Sequence, residues 1–186
     1  MRSREEINRF VRTGIPSGMD MVDRAIAFAE FAHDGQRDKG GRKYTDHVFA
    51  VGRETAKRYE DDNLTAAAYL HDVVEDGGFT ISDLMAWFPP VVWKVVEILT
   101  RKKSEDRSVY IARIAENLLA AKVKLVDLDN NMDMSRLGNP KQSDYDRQDR
   151  YAMERTVILD AVIDMERHMT DSEMESNNYA SLVMGV

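Results

Sequence analysis

Ala66-Ala-Ala-Tyr-Leu-His71-Asp72-Val-Val-Glu75-Asp76 is the stretch on which the reading turns. An apolar run ends in an imidazole and three carboxylates within six positions. Glu75 stands four residues after His71 and three after Asp72, and Asp76 stands four after Asp72. On a helix such pairs are surface neighbours. Packing that end against a core is unfavourable without a compensating cation, and a divalent metal supplies one. Acidic residues at a helix C-terminus also commonly face water, although they oppose the helix dipole. On this helix alone both readings stand.

The surrounding chain has the same helical grain. Val22, Ala25, Ile26 and Ala29 fall at i, i+3, i+4, i+7, and Ile158, Ala161, Val162 and Met165 repeat that spacing. Helices are predicted at about 19–33, 46–59, 63–75, 81–87, 90–100, 106–119, 121–131 and 144–168. Gly35, Gly40-Gly41, Gly77-Gly78 and Gly138-Asn-Pro140 separate them. Thr80-Ile-Ser-Asp83 reads as a capping box, and Pro90 suits the first turn of the helix it opens. The expected fold is therefore all-α, a single domain over 19–168 of about eight helices. The weakly patterned segment 1–18 is expected to be poorly ordered, and 169–186 is expected to be a flexible tail.

Composition bounds the rest. The chain has 186 residues, 43% of them hydrophobic, and a formal charge of −7. That length suffices for a core without staples. It has no Cys, which excludes a disulfide framework, Cys-ligated zinc, iron–sulfur clusters and a cysteine nucleophile. No apolar run reaches the ~20 residues of a membrane span, and the N-terminus lacks a signal-peptide stretch. No membrane or nucleic-acid partner is expected, and a soluble, cytoplasmic protein is. The acidic balance still permits a small phosphorylated ligand at a local basic patch.

Two further segments add donors. Tyr44-Thr-Asp-His47 enters a helix after the glycine loop, and a surface histidine is the plainer reading of His47. In Val123-Lys-Leu-Val-Asp127-Leu-Asp-Asn-Asn131, Asp127 sits on an apolar stripe and wants a partner. Asn131 is one turn further along the same face. Asp127 reads equally well as a buried cap of a neighbouring helix. Two imidazoles and two carboxylates from three helices make a mixed set suited to Mn²⁺, Fe²⁺ or Zn²⁺. Glu75 and Asp76 are in sequence position to orient or deprotonate a metal-bound water.

The order His47, His71-Asp72, Asp127 resembles that of the HD-domain metal phosphohydrolases. Five blocks are similar, more narrowly, to the alarmone hydrolase domain of RelA/SpoT-type proteins and of free-standing small alarmone hydrolases. They are Ala29-Glu-Phe-Ala-His33-Asp-Gly-Gln36, Tyr44-Thr-Asp-His47, Ala67 to Asp76, Leu99-Thr-Arg101, and Lys124-Leu-Val-Asp127 with Asn131. His71-Asp-Val-Val-Glu-Asp76 is the specific piece.

The resemblance implies an all-helical fold holding one Mn²⁺ per chain. Its metal ligands map onto His47, His71, Asp72 and Asp127, and its water-handling pair onto Glu75 and Asp76. It implies removal of the 3′-pyrophosphate of guanosine tetra- or pentaphosphate, giving GDP or GTP and pyrophosphate. Substrate contacts map onto Asn131 and, by a looser match, onto Tyr151, which also fits the core stripe of Ile158. With no synthetase domain after the hydrolase block, hydrolysis alone is the expected activity.

The chain departs from the pattern in two places. Asp38 stands where a basic residue is usual, flanked by Arg37 and Lys39, and Leu128 stands where Arg is common. The loop Arg37-Asp-Lys-Gly-Gly-Arg-Lys43 still carries net positive charge. Arg37 and Lys39 are therefore the candidate phosphate contacts, with a solvated basic loop as the other reading. The Asp38 departure keeps open an HD-type phosphatase acting on another nucleotide or on NADPH; a non-catalytic helical regulatory module that retains the fold is the second alternative, and the complete ligand set argues against it. His33 is read as donating to backbone at a helix end, not as a ligand.

Overall fold

The computed structural model describes residues 1–169. All but the first residue of the expected tail lies outside that range. Among the described residues there are nine α-helices, one 3-10 turn at Met134–Arg136 and no strand, as the all-α expectation requires. The only extended pairing among them is an isolated bridge between Arg37 and Lys43. The chain divides into two compact units, Met1–Thr100 and a second beginning at Arg101.

The first unit holds α1 (Arg4–Thr13), α2 (Met21–His33), α3 (Tyr44–Tyr59), α4 (Asp62–Leu70), α5 (Ile81–Met85) and α6 (Pro90–Leu99). Helix α4 packs against α2, α3 and α6, and every residue from Leu64 to Leu70 is buried. Its three consecutive alanines let neighbours come close. On α3 a Cβ at Gly52 would lie only 2.5 Å from the Tyr69 ring. Phe28, Val48, Val51, Leu70 and Val92 are fully enclosed. Phe28 meets Phe88 edge-on at 5.2 Å, and Phe10 stacks on Phe31 at 4.2 Å.

Helix α1 forms where no element was expected. Ser3 and Glu6 make a reciprocal capping box, and Ile7 is fully buried. The signal was present in Ser3-Arg-Glu-Glu6 ahead of Ile7 and Phe10. It was masked by the polar outer face of the helix.

Helix α4 also ends five residues earlier than the periodicity suggests. His71 is its C-cap, and 71–76 is a run of tight turns. Val73 N–H donates to Leu70 O at 3.1 Å, Asp76 N–H to Asp72 O at 2.9 Å, and Phe79 N–H reaches back to Val73 O at 3.2 Å. The chain turns here against α2. A Cβ at Gly77 would lie 2.5 Å from Val73 O and 2.7 Å from Ala32 Cβ, so only glycine fits.

The second unit holds α7 (Arg107–Ala115), α8 (Leu118–Asn131) and α9 (Gln142–Arg167), each packed on the other two. Ile114, Leu128 and Ile158 are fully buried. The α7–α8 junction falls at Glu116-Asn117, earlier than expected, because Asn117 caps α8 by accepting from Ala120 N–H at 3.0 Å. Glu154 of α9 takes two hydrogen bonds from Arg107, at 2.5 and 2.8 Å. No helix among the described residues is long and apolar enough to cross a membrane.

Candidate metal centre

In the first unit four rings follow one another. His33 and Tyr44 have centroids 5.1 Å apart, Tyr44 and His47 5.4 Å, and His47 and His71 5.3 Å. His33 closes α2, Tyr44 and His47 occupy the first turn of α3, and His71 ends α4. All three imidazoles are buried. A ring nitrogen of His47 and one of His71 lie within 4.8 Å of each other.

Asp72 completes this cluster. Its Oδ2 accepts from the Tyr44 phenol at 2.6 Å, and lies 3.1 Å from His71 Nε2 and 3.8 Å from His47 Nε2. The His71 ring is oriented by Nδ1, which donates to Ala68 O at 2.8 Å. A carbonyl only accepts, so a hydrogen sits on Nδ1, and the ring turns its Nε2 edge toward the carboxylate. Imidazole nitrogens and a carboxylate oxygen are the donors a divalent transition metal takes. The residues present fit such an ion, and the Ala68 contact is the outer hydrogen bond that metal-ligating histidines make.

The acidic turn lies beside this cluster. Glu75 is half-buried. Asp76 is exposed as a residue, yet its carboxyl is held above the usual carboxylate range, by desolvation first and by the Asp72 charge second. His33 differs from its expected role. Its Nδ1 meets the Gln36 side-chain oxygen at 2.9 Å instead of a backbone group. Burial pushes its pKa down.

His33, Gln36, Arg37, Lys43 and Thr45 line a cavity of about 190 Å³. Arg37 and Lys39 are both exposed, and the Arg37 guanidinium donates to Gly41 O at 2.8 Å. Asp38 has a structural reason to be acidic. Its Oδ1 accepts from Arg42 N–H at 2.9 Å, and its backbone N–H and C=O bond Arg42 O and Gly41 N–H, closing the loop.

The second unit presents its own polar group on α8. Asp127 is buried, accepting from Lys124 Nζ at 2.7 Å and from Asn131 Nδ2 at 2.5 Å. Lys124 is itself buried, with its ammonium 5.5 Å from the centre of the Tyr110 ring. Tyr151 on α9 is half-buried, with the Arg107 guanidinium 5.7 Å and the Arg150 guanidinium 5.6 Å from the centre of its ring.

In the sequence Tyr44, Gln36 and Lys124 stand out only as members of the similar blocks. Their roles emerge from hydrogen bonds. Lys124 had a visible signal, since it stands three residues before Asp127 on one helix. Tyr44 and Gln36 act on residues too distant in sequence to give one.

An HD domain model matches residues 25–165. The chain is 28% identical over 142 residues to the bifunctional (p)ppGpp synthase/hydrolase SpoT of Escherichia coli (strain K12), covering 69% of this chain and 20% of that protein. It is 30% identical over 118 residues to the GTP pyrophosphokinase rsh of Brucella ovis, covering 63% of this chain and 16% of that one. The chain thus spans about a fifth or less of the length of these curated relatives. A solved structure is similar with a TM-score of 0.65 and 25% identity, over 90% of this chain and 95% of that one. It is described as a metazoan ortholog of SpoT that hydrolyzes ppGpp and plays a role in starvation responses. The match over 25–165 spans most of the sequence, and on it the chain belongs to the HD domain family.

Proposed function

We propose that the chain is a Mn²⁺-dependent hydrolase that removes the 3′-pyrophosphate of guanosine tetra- or pentaphosphate, leaving GDP or GTP. The observation that carries this reading is the Tyr44–Asp72–His71–His47 cluster, in which two buried imidazoles and a carboxylate oxygen converge. Support for the substrate comes from the likeness to a metazoan SpoT ortholog over 95% of that chain. A free guanine nucleotide as substrate goes with a cytoplasmic protein.

In this reading His47, His71, Asp72 and Asp127 hold one Mn²⁺. When bound, the ion supplies acidity to a water and offsets charge on the phosphoryl group. The chain's own residues do the remainder. Glu75 and Asp76 orient the attacking water and take its proton, and the raised affinity of Asp76 for a proton favours its acting as the acceptor. The water oxygen bonds to the phosphorus attached at the 3′ position, the bond from that phosphorus to the 3′ oxygen breaks, and the ribose oxygen leaves as a hydroxyl. Pyrophosphate is the second product. Arg37 and Lys39 neutralise the distal phosphate charge, and Asn131 and Tyr151 contact the nucleotide.

One observation favours a second reading. Asp38 is committed to closing its loop, so the cation usual at that position is missing. The same metal site then serves another phosphorylated nucleotide or NADPH. A Mn²⁺-dependent panel of guanosine tetraphosphate, nucleoside mono- and triphosphates and NADPH decides between them. Pyrophosphate and GDP in equal amounts from the tetraphosphate support the first reading. Orthophosphate release from another member, with the tetraphosphate untouched, supports the second.

A further inference from the structure

The turn that carries Glu75 and Asp76 lies beyond the end of α4, so the helix ladder does not hold it. It is fastened instead from Gln36, in the segment just after α2. The amide nitrogen of Gln36 donates to Asp76 O at 2.9 Å, with a longer contact of 3.4 Å to Ala32 O. Both acceptors are carbonyls, which fixes the amide orientation and leaves the Gln36 oxygen facing His33 Nδ1 at 2.9 Å. His33 is fully buried at the end of α2 and is a rigid anchor for that oxygen. On its other side the turn is met by the N-terminal segment. Arg2 N–H donates to Gly77 O at 3.1 Å, and a Cβ at Gly78 would lie 2.7 Å from Arg2 O.

We propose that Gln36, seated by His33, is a positioning residue that sets where the Glu75–Asp76 turn stands relative to His71 and Asp72. The inference rests on the reading that Glu75 and Asp76 handle the attacking water. It assigns Gln36 no contact with substrate or metal. One side-chain amide ties the last turn of α2 to the backbone of the acidic turn, and its two ends are chemically different. The oxygen needs a donor on His33 and the nitrogen needs the carbonyl of Asp76.

The test uses the full chain with Gln36→Leu and Gln36→Glu. Gln36→Glu keeps the size and the acceptor toward His33 but turns an oxygen toward Asp76 O, so it removes the tie and little of the packing. The expected result for both is faster amide hydrogen exchange over 74–79 with exchange in α3 and α6 unchanged. Turnover of guanosine tetraphosphate with Mn²⁺ falls roughly 10- to 100-fold in kcat, as a displaced catalytic group requires. KM stays within about twofold, and Mn²⁺ affinity is unchanged. Wild-type exchange and kcat in Gln36→Glu overturn the proposal, as does a loss of kcat matched by an equal loss of Mn²⁺ affinity. A wild-type chain that leaves the tetraphosphate intact overturns the proposed function. In that case exchange over 74–79 still decides whether Gln36 holds the turn.

Discussion

The phenol of Tyr44 donates to Oδ2 of Asp72 at 2.6 Å, tying the first residue of α3 to the residue just after α4. Oδ2 is also the atom nearest His71 Nε2. A hydrogen bond there holds the carboxylate in one rotamer, with an oxygen already placed beside the imidazoles. Tyr44→Phe removes only the hydroxyl and keeps the ring between His33 and His47. The expected outcome is a Mn²⁺ affinity weakened roughly 10- to 100-fold, the usual effect of losing an outer hydrogen bond to a ligand. Titration calorimetry reads it, and an unchanged affinity contradicts the role given to Tyr44.

Gly77→Ala tests the close packing of the acidic turn on α2. The new Cβ would meet a backbone carbonyl at 2.5 Å and the Ala32 methyl at 2.7 Å, neither of which is a flexible side-chain end. Overpacking of this kind costs about 1–3 kcal/mol. A urea titration of both proteins measures it, and equal midpoints would show that the turn gives way freely.

Lys124→Met leaves the buried Asp127 without its ammonium partner. Breaking one side of a buried pair costs about 3 kcal/mol, because the remaining charge stays desolvated. If Asp127 is a metal ligand, adding Mn²⁺ recovers part of that loss, since a bound ion stabilises the folded state. Thermal melts of the variant with and without Mn²⁺ read both effects. No recovery, with the wild type still stabilised by Mn²⁺, argues against Asp127 as a ligand.

Stability should also fall with acid in a predictable direction. Hydrogen bonds from Arg113 hold Glu105 below the usual carboxylate range, the Ser3 backbone does the same for Glu6, and the Ser108 hydroxyl for Asp106. A carboxyl with a depressed folded pKa contributes stability that is present above its unfolded value. That contribution is lost as pH falls through the folded one. The melting temperature should therefore drop as pH falls through and below the ordinary carboxylate range, and Glu105→Gln should show a shallower drop than the wild type. An identical slope in the variant would remove Glu105 from the account.

Helix content was legible in the sequence, because the apolar residues of α2 and α9 recur at the helical period and Thr80 with Asp83 reads as a cap. The candidate ligands were legible by chemical type, as acids and imidazoles ending or interrupting apolar stripes. The early end of α4 was not, because it depends on Gly77 meeting Ala32, a tertiary contact. The acidity of position 38 could be seen but not explained until the loop showed Asp38 bonding Arg42. The roles of Tyr44 and Gln36 were hidden for the same reason. Their partners lie 28 and 40 residues away, beyond the reach of any local pattern.

Metal content tests the central claim most directly. Wild-type protein equilibrated with Mn²⁺, passed through a desalting column and assayed by elemental analysis should retain one ion per chain. Asp72→Ala, with helicity near that of the wild type, should retain none and turn over no substrate. A wild type that keeps no stoichiometric metal, or an Asp72→Ala protein that keeps it along with full turnover, would contradict the account.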